Sequence, residues 1–263
     1  MRFADFHSDI LTDKNFSGLP DNYGGDLTVV TAIFRGNARL SDVVSLADKS
    51  DIVAFEDVGY EDFSLDAISS TNPAYVGITW NGENRFGYGC NYTFGLKEEG
   101  KSLIKSLNAC GIPVDTAHIS KGGFYDIIDL ADSVVDSHTC FSGAFSHKRN
   151  IDDEQIRLII EREGIIGVTM CGYFMTDGKV CKISDFISQI DYFSQKFGVD
   201  NLAVGTDFFG TDFLPCTNGD YAFFDEAAYS LYGMGYTDSD VDKIFYKNLS
   251  GFLEKRYGRT NQL

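Results

Sequence analysis

Basic residues are scarce in this chain: 22 Lys plus Arg stand against 39 Asp plus Glu in 263 residues, a formal net charge of −17. Polyanions bind through Lys and Arg that displace counterions, so this balance argues against nucleic acid or an anionic lipid surface as partner. Long apolar runs are missing too. The longest uncharged apolar stretch, IIGVTMCGYFM at 165–175, falls well short of the roughly 20 residues that cross a bilayer, and no membrane association is expected. No basic segment followed by an apolar one precedes the first strand-like run, so no secretory signal is expected either. The six cysteines (90, 110, 140, 171, 181, 216) show no CxxC spacing and read as free thiols in a reducing cytoplasm. There is no GxGxxG or GxxxxGK phosphate loop, no internal repeat and no low-complexity linker. What remains is a chain rich enough in apolar residues to bury a sizeable core, with a small molecule as its expected partner.

Short β-branched runs alternate with helical periods along the whole length. The strand candidates are 2–9, 27–34, 51–57, 74–80, 113–119, 133–139, 165–170 and 201–208. Between them, apolar residues recur at helical spacing: Ile183, Phe186, Ile187, Ile190 and Phe197 before Gly198; Ile156, Ile159 and Ile160 between Asp152 and Gly164; Leu103, Ile104, Leu107 and Cys110 before Gly111. Asp152 suits an N-cap, and each glycine suits a helix end that wants a left-handed residue. A last helix is expected near 238–258. Eight strand–helix units without a phosphate loop predict an α/β fold of one (β/α)8 TIM-like barrel over residues 1–263, with its site at the C-terminal ends of the strands.

The chemistry gathers at those ends. His7 and Asp9 lie two apart in the first strand candidate and so share a face. His118 and His138 close the fifth and sixth candidates, Glu56 the third and Asp207 the eighth. Barrel closure would carry all of them to one mouth. Imidazole and carboxylate ligands without thiolate suit zinc, ahead of manganese, iron or cobalt. The ligands exceed what one tetrahedral ion uses, so two ions sharing a carboxylate about 3.5–4 Å apart are expected. Cys140 is not expected as a ligand. His147 reads as a surface or capping histidine, and Asp152 and Asp153 as helix-start residues. Ser8 and Ser137 adjoin histidines, but strand neighbours face opposite sides, which excludes a Ser–His nucleophile pair. The rings after Asp207 (Phe208, Phe209, Phe213, Tyr221, Phe223, Phe224) either wall the mouth or pack over the barrel end.

FHSDIL at 6–11, GITWNGENRFGYG at 77–89, VDTAHIS at 114–120, DSHTCFSGAFSHKRNIDDEQIR at 136–157 and NLAVGTDFFG at 201–210 resemble, in order, the signatures of the renal (membrane) dipeptidase family, the M19 metallopeptidases of the amidohydrolase-like barrels. The resemblance implies a dinuclear zinc hydrolase of dipeptides or similar small carboxylate-bearing amides. It implies His7 and Asp9 on one zinc, His118 and His138 on the other, and Glu56 bridging them. It implies Asp207 as catalytic acid/base and Arg149 as the grip on the substrate carboxylate. It is also compatible with a homodimer. One position departs from the pattern. Where the family carries a substrate-contacting histidine after GLT or GIT, this chain has Trp80, whose indole donates one hydrogen bond and cannot become cationic. That change keeps two alternatives open: a related metal hydrolase with a non-peptide substrate, and a catalytically weakened metal-binding homologue.

Overall fold

The computed structural model describes residues 1–12, 26–34, 39–215 and 220–258; Cys216 falls outside them. Eight parallel strands, β1 (Phe3–Ser8), β2 (Leu27–Phe34), β3 (Val53–Glu56), β4 (Val76–Gly77), β5 (Val114–Asp115), β6 (Val134–Thr139), β7 (Ile166–Val168) and β8 (Leu202–Val204), close in sequence order into a barrel. The interleaved helices are α1 (Leu40–Val44), α2 (Leu65–Ser69), α3 (Glu98–Ala109), α4 (Lys121–Leu130), α5 (Asp153–Glu161), α6 (Ile183–Phe197), α7 (Phe223–Gly233), α8 (Asp238–Asp242) and α9 (Asn248–Tyr257). The expected TIM-like barrel is therefore the fold.

The helices start and stop for identifiable reasons. Asp152 caps α5, its carboxylate accepting from the amides of Glu154 and Gln155 at 3.1 and 3.0 Å while Gln155 Oε1 accepts from the Asp152 amide at 3.1 Å, so both ends of the capping box are satisfied. Its far end differs from expectation: Glu163, not Gly164, takes the left-handed position at φ 55°. Gly164 is needed for another reason, since a Cβ there would lie 2.4 Å from the Val134 carbonyl. α3 and α6 end before Gly111 and Gly198, both at positive φ, as their sequences require. The single expected final helix divides into α8, a π-helical turn at Lys243–Lys247 and α9. The π turn buries Ile244 and Phe245 together.

Seven of the eight strands are shorter than the sequence predicts, most of all β4, β5 and β8, and most of the shortfall in those three lies at their C-terminal ends. There the ladder gives way to carboxylates. Asp5 Oδ1 accepts from the amides of His7 and Thr206 at 3.2 and 2.8 Å, and Asp115 Oδ1 accepts from those of Ala117 and Ser137 at 3.1 and 2.8 Å. Buried amides must be paired, and these side chains do it where strand partners do not. The freed backbone turns sharply, with His118 at φ 64° and Asp207 at φ 60°.

Candidate metal centre

The strand ends open on a cavity of about 840 Å³ lined by, among others, Asp9, Glu56, Trp80, His118 and Asp207. His7 Nε2 lies 3.4 Å from Asp9 Oδ2 and 3.7 Å from Glu56 Oε2. His118 Nε2 lies 3.1 Å from Glu56 Oε1 and 2.8 Å from His138 Nε2. Ligand atoms of His7, Glu56 and His138, and again of His7, Asp9 and Asp207, fall within 4.8 Å of one another. All six side chains expected at the mouth are thus brought together from five strands.

Each imidazole is aimed by local structure. β1 shifts register between Asp5 and Ser8, and β6 between Asp136 and Thr139. Such bulges re-aim side chains, and each holds a histidine two residues after a buried aspartate. The second ring nitrogens are engaged as well: His7 Nδ1 with Tyr75 Oη at 2.8 Å, His118 Nδ1 with Asn81 Oδ1 at 2.9 Å, and His138 Nδ1 with Ser137 Oγ at 2.8 Å. Tyr75 donates its own proton to the Phe6 carbonyl, and Ser137 donates to Asp115 Oδ2. The pattern therefore places a proton on Nδ1 of each ring and turns Nε2 toward the mouth, as a lone pair on His118 and His138 and, once His7 sheds the second proton it holds without metal, on His7 as well, the arrangement a ligating imidazole needs.

A divalent cation fits this donor set. His7 Nε2 and Glu56 Oε1 are buried and make no hydrogen bond, which is rare for buried polar atoms. The Nε2 lone pairs of His118 and His138 point at one another, a repulsive contact that a cation reverses. Burial, with the charges of Asp9 and Asp207, raises the Glu56 carboxyl well above its usual range despite opposition from His7. Burial and the charge of Asp9 push Asp207 up to about 8. Burial also holds His118 and His138 well below the ordinary imidazole value, helped by the positive charges of His7 and Arg149, so both rings are neutral. Gly210 completes the fit: a Cβ there would lie 2.2 Å from Asp207 Oδ1 and 2.3 Å from Asp9 Oδ2, so only glycine lets the backbone pass these carboxylates.

The remaining residues sort themselves by contact. Arg149 is buried beside the cluster and donates from Nη2 to the His138 carbonyl at 2.8 Å, while its Nε has no hydrogen-bond partner. Trp80 stands half-exposed at the rim, its ring 5.5 Å from Phe34 and 6.1 Å from His118. Cys140 is buried against the Thr169 carbonyl, apart from the ligand groups. His147 packs on Phe174 and accepts from the Arg149 amide. Of the rings after Asp207, Phe209 lines the mouth, Phe213 packs on Tyr173, and Phe208, Tyr221, Phe223 and Phe224 pack over the barrel end. One expectation is corrected: Ser137 does reach its neighbour His138, because the β6 bulge breaks the alternation that would have turned it away. Strand reading alone also misses Asp5, Tyr75, Asn81, Asp115 and Asp136. The D-x-H spacing in ADFHS and VDSHT was the available signal for two of them; Tyr75 and Asn81 carry none.

The barrel and the candidate ligand cluster at its mouth fit a metal-dependent hydrolase. A profile of the membrane dipeptidase family (peptidase family M19) matches residues 63–257, and an uncharacterised protein from the pqqA 5′ region of Klebsiella pneumoniae is 31% identical over 197 residues, covering 70% of this chain and 72% of that protein. The chain belongs to the membrane dipeptidase family. Among solved structures, the M19 metallopeptidase dipeptidase AC superposes with a TM-score of 0.84 at 19% identity, covering 98% of this chain and 99% of its own. A metallopeptidase from Rhodobacter sphaeroides, liganded with a phosphinate mimic of the dipeptide L-Ala-D-Ala, gives 0.72 at 24% identity, covering 83% and 68%. The profile begins after His7, Asp9 and Glu56, so those three rest on the geometry of the mouth. No helix among the described residues is long and apolar enough to cross a membrane.

Proposed function

We propose that this chain is a zinc dipeptidase holding two ions, with His7 and Asp9 on one, His118 and His138 on the other, and Glu56 shared. The observation that carries the reading is the convergence of His7 Nε2 and His118 Nε2 on the two oxygens of Glu56, with His138 Nε2 against that of His118. Bound zinc supplies Lewis-acid polarisation of a carbonyl and a water of lowered pKa. The chain supplies the rest. Asp207, partly exposed in the mouth with a carboxyl raised toward neutrality, takes the proton of the attacking water and returns it to the leaving amine nitrogen. Arg149 offers an unpaired Nε–H and a guanidinium charge suited to a substrate carboxylate. Trp80 gives the rim an apolar face in place of a cationic donor.

Trp80 also favours a second reading, in which the same centre hydrolyses a small non-peptide amide or lactone. A panel of L,L and L,D dipeptides assayed with the zinc-loaded protein separates the two. Hydrolysis abolished by Asp207→Asn supports the dipeptidase; inactivity on every dipeptide rejects it.

A further inference from the structure

Ser137 sits between two imidazoles. Its Oγ lies 2.8 Å from His138 Nδ1 and 3.3 Å from His7 Nδ1, while its proton is committed to Asp115 Oδ2 at 2.6 Å. Asp115 is itself held by the amides of Ala117 and Ser137 on its other oxygen, so the hydroxyl cannot rotate its proton toward the rings without abandoning a carboxylate. Its lone pairs are left facing the rings, whose centroids are 3.8 Å apart. Under the two-ion reading proposed above, on which this inference rests, those rings serve different ions. His7 shares its Nδ1–H between Tyr75 Oη and this hydroxyl, and His118 stands outside the arrangement, tied to Asn81.

We infer that Asp115 and Ser137 form one positioning device common to both ion sites: a single hydroxyl, oriented by a single carboxylate, fixes the Nδ1–H form of His138 and, together with Tyr75, that of His7. Neither residue touches substrate or metal. Asp115 sets the direction of the hydroxyl proton, and the hydroxyl sets which nitrogen of each ring is free to ligate. Loss of the hydroxyl should therefore weaken both ions at once, whereas loss of Asn81 should weaken one. Partners of ligating histidines typically contribute roughly 10- to 100-fold in metal affinity.

The test is a calorimetric zinc titration of the metal-free protein, joined to ¹⁵N NMR of its imidazoles. The wild type takes up two ions; Ser137→Ala weakens both by roughly 10- to 100-fold, and Asn81→Ala weakens one. Asp115→Asn keeps the shape but places an N–H where a carboxylate oxygen accepted, turning the hydroxyl proton toward the rings. His138 should then move from the Nδ1–H to the Nε2–H tautomer, visible in its ¹⁵N shifts before any metal is added. Wild-type affinity for both ions in Ser137→Ala, weakening of one ion only, or an unmoved His138 tautomer in Asp115→Asn overturns the inference. A wild type that binds fewer than two ions instead defeats the two-ion reading, and the tautomer still decides the role of the hydroxyl. Should Ser137→Ala not fold, Asp115→Asn decides alone.

Discussion

His118 Nε2 and His138 Nε2 face one another at 2.8 Å, delivered from the ends of β5 and β6 with their other ring nitrogens already occupied by Asn81 and Ser137. Neither nitrogen has a proton to offer the other under that assignment. The pair is built to be completed by a cation, and its neighbours show what must leave when one arrives.

Metal uptake should release protons. Burial and Asp9 push Asp207 up to about 8, and although burial opposes it, the charges of nearby Asp9 and Glu56 push His7 up to about 9. Groups with raised values hold protons at pH 7 in the metal-free protein; His7 must shed its proton to ligate, and a cation beside Asp207 favours the charged carboxylate. Zinc affinity is therefore expected to rise as pH increases from 6 to 9, with net proton release at pH 7. Calorimetry in buffers of different ionisation enthalpy measures it; an affinity flat across this range contradicts the assignment.

Gly210→Ala places a methyl group where Asp207 Oδ1 and Asp9 Oδ2 now lie. The carboxylates must move, and zinc affinity should fall at least about 10-fold while the melting temperature of the metal-free protein changes little. Unchanged zinc binding would mean that Asp9 Oδ2 does not ligate from its present position.

Trp80→His restores a side chain that can donate and carry charge at the rim. If an oxyanion donor is what the chain lacks, kcat on dipeptides should rise on the order of 10²-fold, with little change in metal content. An unchanged kcat assigns the apolar rim to a different substrate.

Two aspartates should differ sharply in stability. Asp5 accepts from the His7 and Thr206 amides, Thr206 Oγ1 and Tyr221 Oη, so Asp5→Ala strands several buried donors and should cost about 3 kcal/mol or more. Asp152→Ala removes an N-cap and should cost about 1 kcal/mol. Although burial opposes it, the Lys121 ammonium and the amides of Gln155 and Glu154 hold the Asp152 carboxyl below its ordinary 3.8. A depressed folded value means that the charged cap stabilises above about pH 4 and that this part is lost as pH falls through the folded value. Urea midpoints at pH 7 and pH 3 should show the gap between wild type and Asp152→Ala narrowing in acid.

Hydrophobic spacing was enough to place the eight strands, because a buried parallel strand announces itself by β-branched runs; β2 spans residues 27–34 as read. The gathering of candidate ligands at the strand ends was legible for the same reason. Strand lengths were not. His118 and Asp207 read as ladder residues because β-propensity cannot see a carboxylate from another strand capturing the local amides, as Asp5 captures that of Thr206. Ser137 was misplaced for a related reason: alternation holds only while register does, and β6 shifts beneath it. Tyr75 and Asn81 reach His7 and His118 across 68 and 37 residues, a distance over which single-chain periodicity carries no information.

Zinc content of the purified protein, read with a Glu56→Gln variant beside it, tests the central claim most directly. Two ions per chain in the wild type, with anomalous scattering peaks among residues 7, 9, 56, 118 and 138 and loss of metal in the variant, is the predicted result. A wild-type chain that retains no metal in zinc-replete solution, or binds it away from these side chains, contradicts the account.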